Sequence, residues 1–184
     1  MNFLKDKFEF INQNTEKISF PIKINIPSIQ KNISKNKNRS NLKSNLTSVF
    51  TDVLKEGQSI IKEDFKIKKD GLFCLSSNSH LIEQVIKILF EFSSENTNGL
   101  HDLAVISSGG FGRRELAPNS DVDLLFLTGP KKCETRNQLI SFVLYILWDL
   151  GIKVSHSTRT VSQAIKDAEK DINFRTSILD IRNL

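Results

Sequence analysis

Two acidic side chains, Asp121 and Asp123, stand on either side of Val122 where an apolar segment begins. Because side chains alternate along a strand, both carboxylates share one face and Val122 points to the opposite, buried face. Like charges at such close range repel each other and raise one pKa. A divalent cation removes this repulsion, and Mg²⁺ binds carboxylate oxygens together with substrate phosphates. The pair therefore predicts a magnesium site, although two acids that only cap the turn at Ser120 would show the same local pattern.

A glycine pair, Gly109-Gly110, precedes these acids by about ten residues and follows an apolar segment that ends at Ser108. Without a Cβ, glycine lets backbone N–H groups approach an anion closely. Most such pairs are ordinary turns, so the pattern is weak on its own. When it faces two carboxylates on a neighbouring strand, a turn alone explains it less well. The two features together indicate a place where phosphate and metal meet.

Three apolar segments are predicted to be the strands of the sheet that positions these residues. Residues 103–108 and 122–128 are buried-strand patterns, and 152–160 is a third candidate. Their order among the helices is helix, helix, strand, strand, helix, strand, helix. This order predicts an α/β or α+β domain with a small mixed sheet flanked by helices.

Apolar positions at helical spacing predict the helices. The first begins at Leu42 and continues to about Phe65, and the second is capped by Asn78 or Ser79 and ends near 96–99. Two later helices, at 135–150 and from 160 to about 170, begin with capping-box pairs. Gly151 would end the first of these two, and further helix is expected near Leu184. The capping pairs are Thr135 with Gln138 and Thr160 with Gln163.

The basic excess of the chain is concentrated in one tract. The chain has 26 Lys and Arg against 21 Asp and Glu, a net charge of +5, which suits a polyanionic partner. Residues 30–45 are basic and polar without any acid, so a nucleic-acid-binding arm and a solvated linker both fit. The tract lacks the aromatic side chains on which single-stranded nucleic acid stacks. We therefore expect a poorly ordered linker, no nucleic-acid partner, an N-terminal extension at 1–40 and a folded domain at 41–184.

The compartment is predicted from cysteine usage and hydropathy. Cys74 and Cys133 form no CxxC pair, which argues against a zinc site and a disulfide framework and fits a reducing cytosol. Acids at Asp6 and Glu9 interrupt the N-terminus, so it is not a signal peptide. The apolar stretch 139–150 is too short to span a bilayer. We expect a cytoplasmic protein with no membrane partner.

The segment 105–127, VISSGGFGRRELAPNSDVDLLFL, resembles the signature of the DNA polymerase β-like nucleotidyltransferase superfamily. Within it, GGFGRREL-AP-SDVDLLFL is similar to the nucleotidyltransferase domain of the PII uridylyltransferases, bifunctional sensors of glutamine. The segments 147–151 (LWDLG), 156–160 (HSTRT) and 176–180 (TSILD) also resemble that family. The similarity covers roughly residues 100–184, and the first forty residues contribute nothing to it.

The resemblance implies a polymerase β-like fold and transfer of a uridylyl group from UTP to a tyrosine hydroxyl of the trimeric signalling protein PII, with release of pyrophosphate. Asp121 and Asp123 would hold two Mg²⁺ ions, one activating the attacking hydroxyl and the other drawing charge from the leaving pyrophosphate. Gly109 and Gly110 would cradle the triphosphate. The further nucleotide-binding residues implied are Ser108, Arg113 and Ser120.

Several basic residues have two interpretations. Arg113 and Arg114 either contact phosphates or pair with Glu115 and neighbouring acids. His156 and Arg159 match the family pattern and could line the same cleft. For His156, a structural role as a half-buried strand histidine fits equally well.

The sequence departs from the family in its acids. Many superfamily members place a third metal-binding carboxylate on the adjacent strand, but residues 152–160 contain none. Asp171 and Asp180 lie beyond that strand without a spacing that argues for the role. The third ligand is therefore left to water or to Ser155.

No segment resembles the uridylyl-removing phosphohydrolase domain or the glutamine-sensing repeats of the family, so we expect a truncated form of a larger protein. Two alternatives stay open. The chain could be a nucleotidyltransferase with another acceptor, such as another protein, an antibiotic or a nucleic-acid end, because surfaces outside the metal site select the acceptor. It could also be an inactive remnant that binds nucleotide or PII without turnover.

Overall fold

The computed structural model describes residues 39–94 and 102–184 of the chain. Within these ranges two long helices precede a small sheet, and shorter helices lie between and after its strands. The helices are α1 (Arg39–Lys68), α2 (Gly71–Ser94), α3 (Gly109–Gly112), α4 (Glu134–Asp149), α5 (Val161–Lys170) and α6 (Ile172–Ser177), followed by a 3₁₀ turn (Ile178–Asp180). The strands are β1 (Leu103–Ser107), β2 (Val122–Thr128), β3 (Val154–Thr160) and β4 (Arg182–Asn183).

The strands form one mixed sheet in the order β3-β2-β1-β4. β1 pairs antiparallel with both β2 and β4, whereas β2 and β3 are parallel. Parallel neighbours need a crossover connection, and α4 supplies it between β2 and β3. The predicted sheet of strands near 103–108, 122–128 and 152–160 is confirmed, as is the mixed α/β class.

The core lies between one face of this sheet and the helices α1, α2 and α4. Val122, Leu124 and Phe126 of β2 belong to it, so the even-numbered side chains of this strand face the helices. None of the helices in residues 39–94 and 102–184 combines the length and the apolarity that a bilayer crossing requires. The fully buried helical members of the core include Leu46, Phe50, Leu81, Val85, Ile86, Leu89, Val143, Ile146 and Leu147.

Helix α2 begins earlier than predicted. Its first turn is capped by Asp70, whose side chain accepts a backbone hydrogen bond at 3.0 Å. The prediction that Asn78 or Ser79 caps this helix is wrong, because both are buried inside it. Instead, Asn78 donates to the carbonyl of Leu116 at 3.0 Å, and the Leu116 N–H donates to the Ser79 hydroxyl at 2.9 Å. The two polar side chains therefore hold the loop that leads into β2.

One of the two predicted capping boxes is confirmed. Thr160 and Gln163 exchange both hydrogen bonds at the start of α5. The predicted box at 135–138 is wrong, because α4 begins one residue earlier, with Cys133 at its N-cap and no side-chain cap. Gly151 follows α4 with a φ of +75°, as expected for a glycine that ends a helix.

Helix α1 includes part of the tract that was predicted to be a linker. Residues 39–45 are helical, which contradicts the expectation of little secondary structure there. Lys43 forms an ion pair of 2.9 Å with Asp149 of α4, and Leu46 is fully buried in the following turn. Apolar burial by the following turns therefore offsets the ordering entropy of this polar first turn. Residues 30–38 lie outside the described residues, and the domain boundary near residue 40 stays a prediction.

The C-terminal segment adds a strand to the sheet. The helix expected near Leu184 is wrong, because the chain after the turn at 178–180 pairs with β1. The Leu184 N–H donates to the carbonyl of Val105 at 2.9 Å. Pairing there satisfies backbone groups on the edge of β1 that would otherwise be open.

Candidate functional site

A cleft of about 290 Å³ opens on the face of the sheet opposite the core helices. Its floor comes from β2 and β3, one side from the residues after β1, and the other side from α6 and the turn that follows it. Its lining includes one carboxylate, several hydroxyl groups and apolar side chains. The lining residues are Ser108, Gly109, Asp123, Leu124, Leu125, Ser155, His156, Ser157, Phe174, Ser177 and Ile178.

Asp123 is the acidic side chain of this cleft. It is half-buried and lies opposite Ser155 in the parallel β2–β3 register, so both side chains occupy the same face of the sheet. The Ser155 hydroxyl donates a hydrogen bond to the Asp123 carboxylate. On its other side, the Asp123 carbonyl accepts from the backbone N–H of Ser108 at 3.1 Å. The carboxylate therefore lies between Ser155 of β3 and the turn that begins at Gly109.

The environment disfavours a charged Asp123 in the absence of a cation. Burial raises the pKa of Asp123 above its ordinary value, and the nearby charge of Asp121 raises it further. The hydrogen bond from Ser155 lowers the pKa of Asp123 but does not cancel the rise. The predicted repulsion between the two carboxylates is thus present, with burial as the larger cause. A bound cation would relieve both effects.

The first residue of the Gly109-Gly110 turn lies next to this carboxylate. Gly109 has a φ of +57°, a conformation that a residue with a Cβ adopts only with strain. A Cβ at Gly109 would lie 3.1 Å from Asp123 Oδ2, and one at Gly110 would lie 3.3 Å from the carbonyl oxygen of Glu115. The backbone conformation therefore favours glycine at 109, and a Cβ at either position would require its neighbour to shift by a few tenths of an ångström. The predicted proximity of the turn to Asp123 is present at Gly109.

Asp121, Ser120 and Arg113 lie outside the cleft lining. Asp121 is exposed just before β2, close enough for its charge to act on Asp123. Ser120 is exposed in the preceding turn and lines a different cavity, between this loop and α1 and α2. Arg113 forms ion pairs with Glu115 at 2.9 Å and Asp180 at 2.6 Å, which is the second interpretation of its role. The nucleotide-binding roles of Ser120 and Arg113 stay predictions.

His156 and Arg159 are directed to different faces of β3. His156 pairs in register with a core residue of β2, and its ring lies 6.3 Å from the Phe126 ring and 5.9 Å from that of Trp148. His156 is exposed and also lines the cleft, as its first interpretation predicts, whereas the two ring contacts agree with the second, so both interpretations stay open. Arg159 lies on the cleft face, where its guanidinium stacks 4.4 Å above the Phe174 ring. It therefore supports a wall of the cleft.

The oxygen donors in the cleft, together with exposed Asp121 at its edge, suit a hard cation such as Mg²⁺, but they form an incomplete protein cage. Asp121 and Asp123 supply carboxylates and Ser155 a hydroxyl, and Mg²⁺ commonly completes such a shell with substrate phosphates and water. In the part of the chain that the structure describes, no cluster of three or more His, Cys, Asp or Glu residues is close enough to hold a metal ion. Asp171 caps α6 and Asp180 pairs with Arg113, so the two acids considered above as a third ligand have other partners.

Several residues at the cleft could not be predicted individually. Phe174, Ser177 and Ile178 line it, although the sequence pattern indicated only that their segment resembles a known family. Gly112 is equally constrained, because a Cβ there would collide with the carbonyl oxygen of Asp180. Gly112 is visible in the sequence as the third glycine of GGFG. Its neighbour Asp180 is distant along the chain, so the sequence could not show why glycine is needed there.

Comparison with known proteins relates the chain to one class of enzyme. No family model matches the sequence. The chain is 37% identical over 138 residues to a bifunctional uridylyltransferase/uridylyl-removing enzyme of Rhodospirillum rubrum, and 36% identical over 137 residues to the enzyme of the same description from Azospirillum brasilense. Each match covers 71% of this chain but only 15% of the relative. On this similarity, the chain belongs to the uridylyltransferase family.

Proposed function

We propose that this chain is a nucleotidyltransferase domain that transfers UMP from UTP to a tyrosine hydroxyl of a PII signalling protein. The observation that carries the proposal is the close approach of the Gly109-Gly110 turn to the Asp123 carboxylate. A Cβ built on Gly109 would lie 3.1 Å from Asp123 Oδ2. A phosphate held by the turn would lie next to the carboxylates that bind its counter-ion. The family membership supports uridylyl transfer as the reaction.

In the reaction, the tyrosine oxygen forms a bond to the α-phosphorus of UTP while the bond from that phosphorus to the α,β-bridging oxygen breaks. The products are uridylylated tyrosine and pyrophosphate, and the proton of the tyrosine is released. The chain contributes mainly position and charge. The backbone N–H groups of the Gly109-Gly110 turn bind phosphate oxygens, and Ser108 lies beside them.

Asp121 and Asp123 would hold Mg²⁺ in this reaction, with the Ser155 hydroxyl fixing the orientation of Asp123. When bound, the metal supplies charge neutralisation for the attacking oxygen and the leaving pyrophosphate. Phe174 and Ile178 add apolar surface to the lining of the cleft.

The test uses UTP labelled at either the α- or the γ-phosphate, incubated with the 184-residue chain, Mg²⁺ and PII. Uridylyl transfer predicts label on PII from the α-labelled nucleotide and none from the γ-labelled one. Label from the γ-position would indicate phosphoryl transfer and contradict the proposal. Label on another added acceptor, with none on PII, would favour a different acceptor.

A non-catalytic binding role is the second candidate, favoured by the missing third acid among the described residues. It predicts that UTP binds the chain in equilibrium measurements while no acceptor becomes labelled and no pyrophosphate is released. Release of pyrophosphate that depends on an acceptor would exclude it.

A further inference from the structure

A buried ion pair connects α2 to the C-terminal strand, away from the cleft. Arg182 Nη1 of β4 lies 2.7 Å from Glu83 Oε2, and the second oxygen of Glu83 lies 2.6 Å from Lys87 Nζ. Glu83 is only 5% exposed. A buried carboxylate requires such partners, since removal of one leaves an uncompensated charge.

The guanidinium of Arg182 also reaches the segment that carries the Gly109-Gly110 turn. Its Nε donates to the carbonyl of Gly112 and its Nη2 to the carbonyl of Phe111, both at 3.3 Å. These are the last two carbonyls of α3, which begins with Gly109, next to Asp123, and Gly110. Arg182 thus connects Glu83 of α2 to the two residues that follow the Gly109-Gly110 turn.

The backbone around Arg182 encloses the same segment. Arg182 pairs with Ser107 at the end of β1, and the Ser107 hydroxyl donates to the Arg182 carbonyl at 3.0 Å. Gly112 packs so closely against the carbonyl of Asp180 that a Cβ would not fit. Because β1 and the 178–182 segment hold both sides, a shift of Arg182 would be transmitted to α3.

Charge balance determines the orientation of the guanidinium. Burial would raise the pKa of Glu83, but Lys87 and Arg182 together hold that pKa below its ordinary value. Glu83 is therefore ionised at neutral pH and occupies one edge of the guanidinium. The remaining N–H groups are left to point at the carbonyls of Phe111 and Gly112.

We propose that Arg182, oriented by Glu83, is a positioning residue that fixes the Gly109-Gly110 turn for binding the UTP triphosphate. This inference rests on the proposed function, because the turn is taken to contact the nucleotide. A lysine could replace the charge of Arg182, but a single ammonium cannot reproduce a planar fork that bonds Glu83 and two carbonyls together.

The first test compares Arg182→Lys and Glu83→Gln with Lys87→Met, which removes the partner of the other Glu83 oxygen but leaves Arg182 paired with Glu83 and touches nothing in the turn. We expect kcat/KM for UTP to fall by roughly ten- to a hundredfold in the first two variants, since displacement of about 1 Å can cost that much. The KM for PII should be unchanged, and Lys87→Met should stay within about twofold of wild type. Full activity of a folded Arg182→Lys variant would overturn the proposal, because a purely electrostatic role predicts rescue by lysine.

The second test does not depend on activity. The Gly112 N–H donates to the Ser108 carbonyl at 3.0 Å and the Arg113 N–H to the Gly109 carbonyl at 3.1 Å. Amide hydrogen exchange at these two positions should be faster in Arg182→Lys and Glu83→Gln, and unchanged in Lys87→Met and in the strand β2 of every variant. Unchanged exchange at Gly112 and Arg113 would overturn the positioning role. If wild type transferred no label, the proposed function would fail, and the exchange data alone would decide whether Arg182 holds the turn.

Discussion

At the start of β2, the two faces of the strand carry different kinds of side chain, Val122 on one and Asp123 on the other. On the face covered by α1, α2 and α4, Val122 and Phe126 are 1% and 0% exposed. On the other face, Asp123 lies half-buried next to the hydroxyl of Ser155. One strand therefore supplies both the core and the cleft, and its pleat keeps them apart. Substitutions on the cleft face should therefore change activity, and substitutions on the core face should change stability.

Removal of charge on the cleft face should have the largest effect. Asp121→Asn and Asp123→Asn should each reduce uridylyl transfer by roughly three orders of magnitude or more, because a charged ligand for a hard cation is lost. Stability without metal should rise slightly or stay unchanged, since repulsion between the carboxylates is relieved. Labelled transfer and thermal unfolding are measured on the same preparations.

Asp52→Asn serves as the matched control, because Asp52 is exposed on α1 and the charge change is identical. The Asp52→Asn substitution should change neither labelled transfer nor thermal stability. Transfer that persists in a folded Asp123→Asn variant would remove Asp123 from the proposed site.

Truncation of a side chain on the core face should lower stability and leave transfer by the folded protein unchanged. Phe126→Ala removes a fully buried ring that packs 5.9 Å from the Phe90 ring, and should cost about 3–5 kcal/mol in the free energy of unfolding. Transfer should fall only in proportion to the folded fraction, measured by denaturant unfolding under assay conditions. A loss of transfer in fully folded protein would mean that the two faces are not independent.

A smaller effect is expected at the turn. Gly109→Ala places a Cβ at a φ of +57° and 3.1 Å from Asp123 Oδ2. It should cost about 1–2 kcal/mol of stability, the penalty for a left-handed residue, and reduce transfer roughly ten- to a hundredfold through misplacement.

Gly151→Ala offers a control of the same backbone type, with a φ of +75° and nothing within 4 Å of the added Cβ. It should show a similar loss of stability with no loss of transfer. Equal loss of transfer in both variants would attribute the Gly109 effect to folding alone.

The smallest effect is the pH dependence of stability that Glu83 contributes. Because Lys87 and Arg182 hold the pKa of Glu83 below its ordinary 4.5, its stabilisation is fully present above about pH 4.5 and is lost as pH falls through the lower folded pKa. The free energy of unfolding of Glu83→Gln, measured against pH, should therefore fall less steeply below pH 4.5 than that of wild type. Parallel curves would show that Glu83 is not ion-paired in solution.

Local patterns determined much of this molecule. The alternation of Asp121, Val122 and Asp123 predicted which side chains would meet the core, because a strand has only two faces. The predicted capping box of Thr160 and Gln163 was also correct, because its two partners are only three residues apart, within one helical turn. Residues that act through neighbours in the chain can be interpreted without the fold.

Tertiary structure decided the rest. Asn78 and Ser79 look like helix caps in isolation, but the approach of Leu116 makes them anchors for a loop. Likewise, the pairing of Glu83 with Arg182 joins residues 99 positions apart. Such contacts depend on packing between elements, and local propensity carries no information about which distant backbone will arrive. Local patterns therefore predicted β1, β2 and β3 and nominated the Asp and Gly residues of the candidate site, whereas β4 and the contacts that hold the Gly109-Gly110 turn depend on the folded sheet.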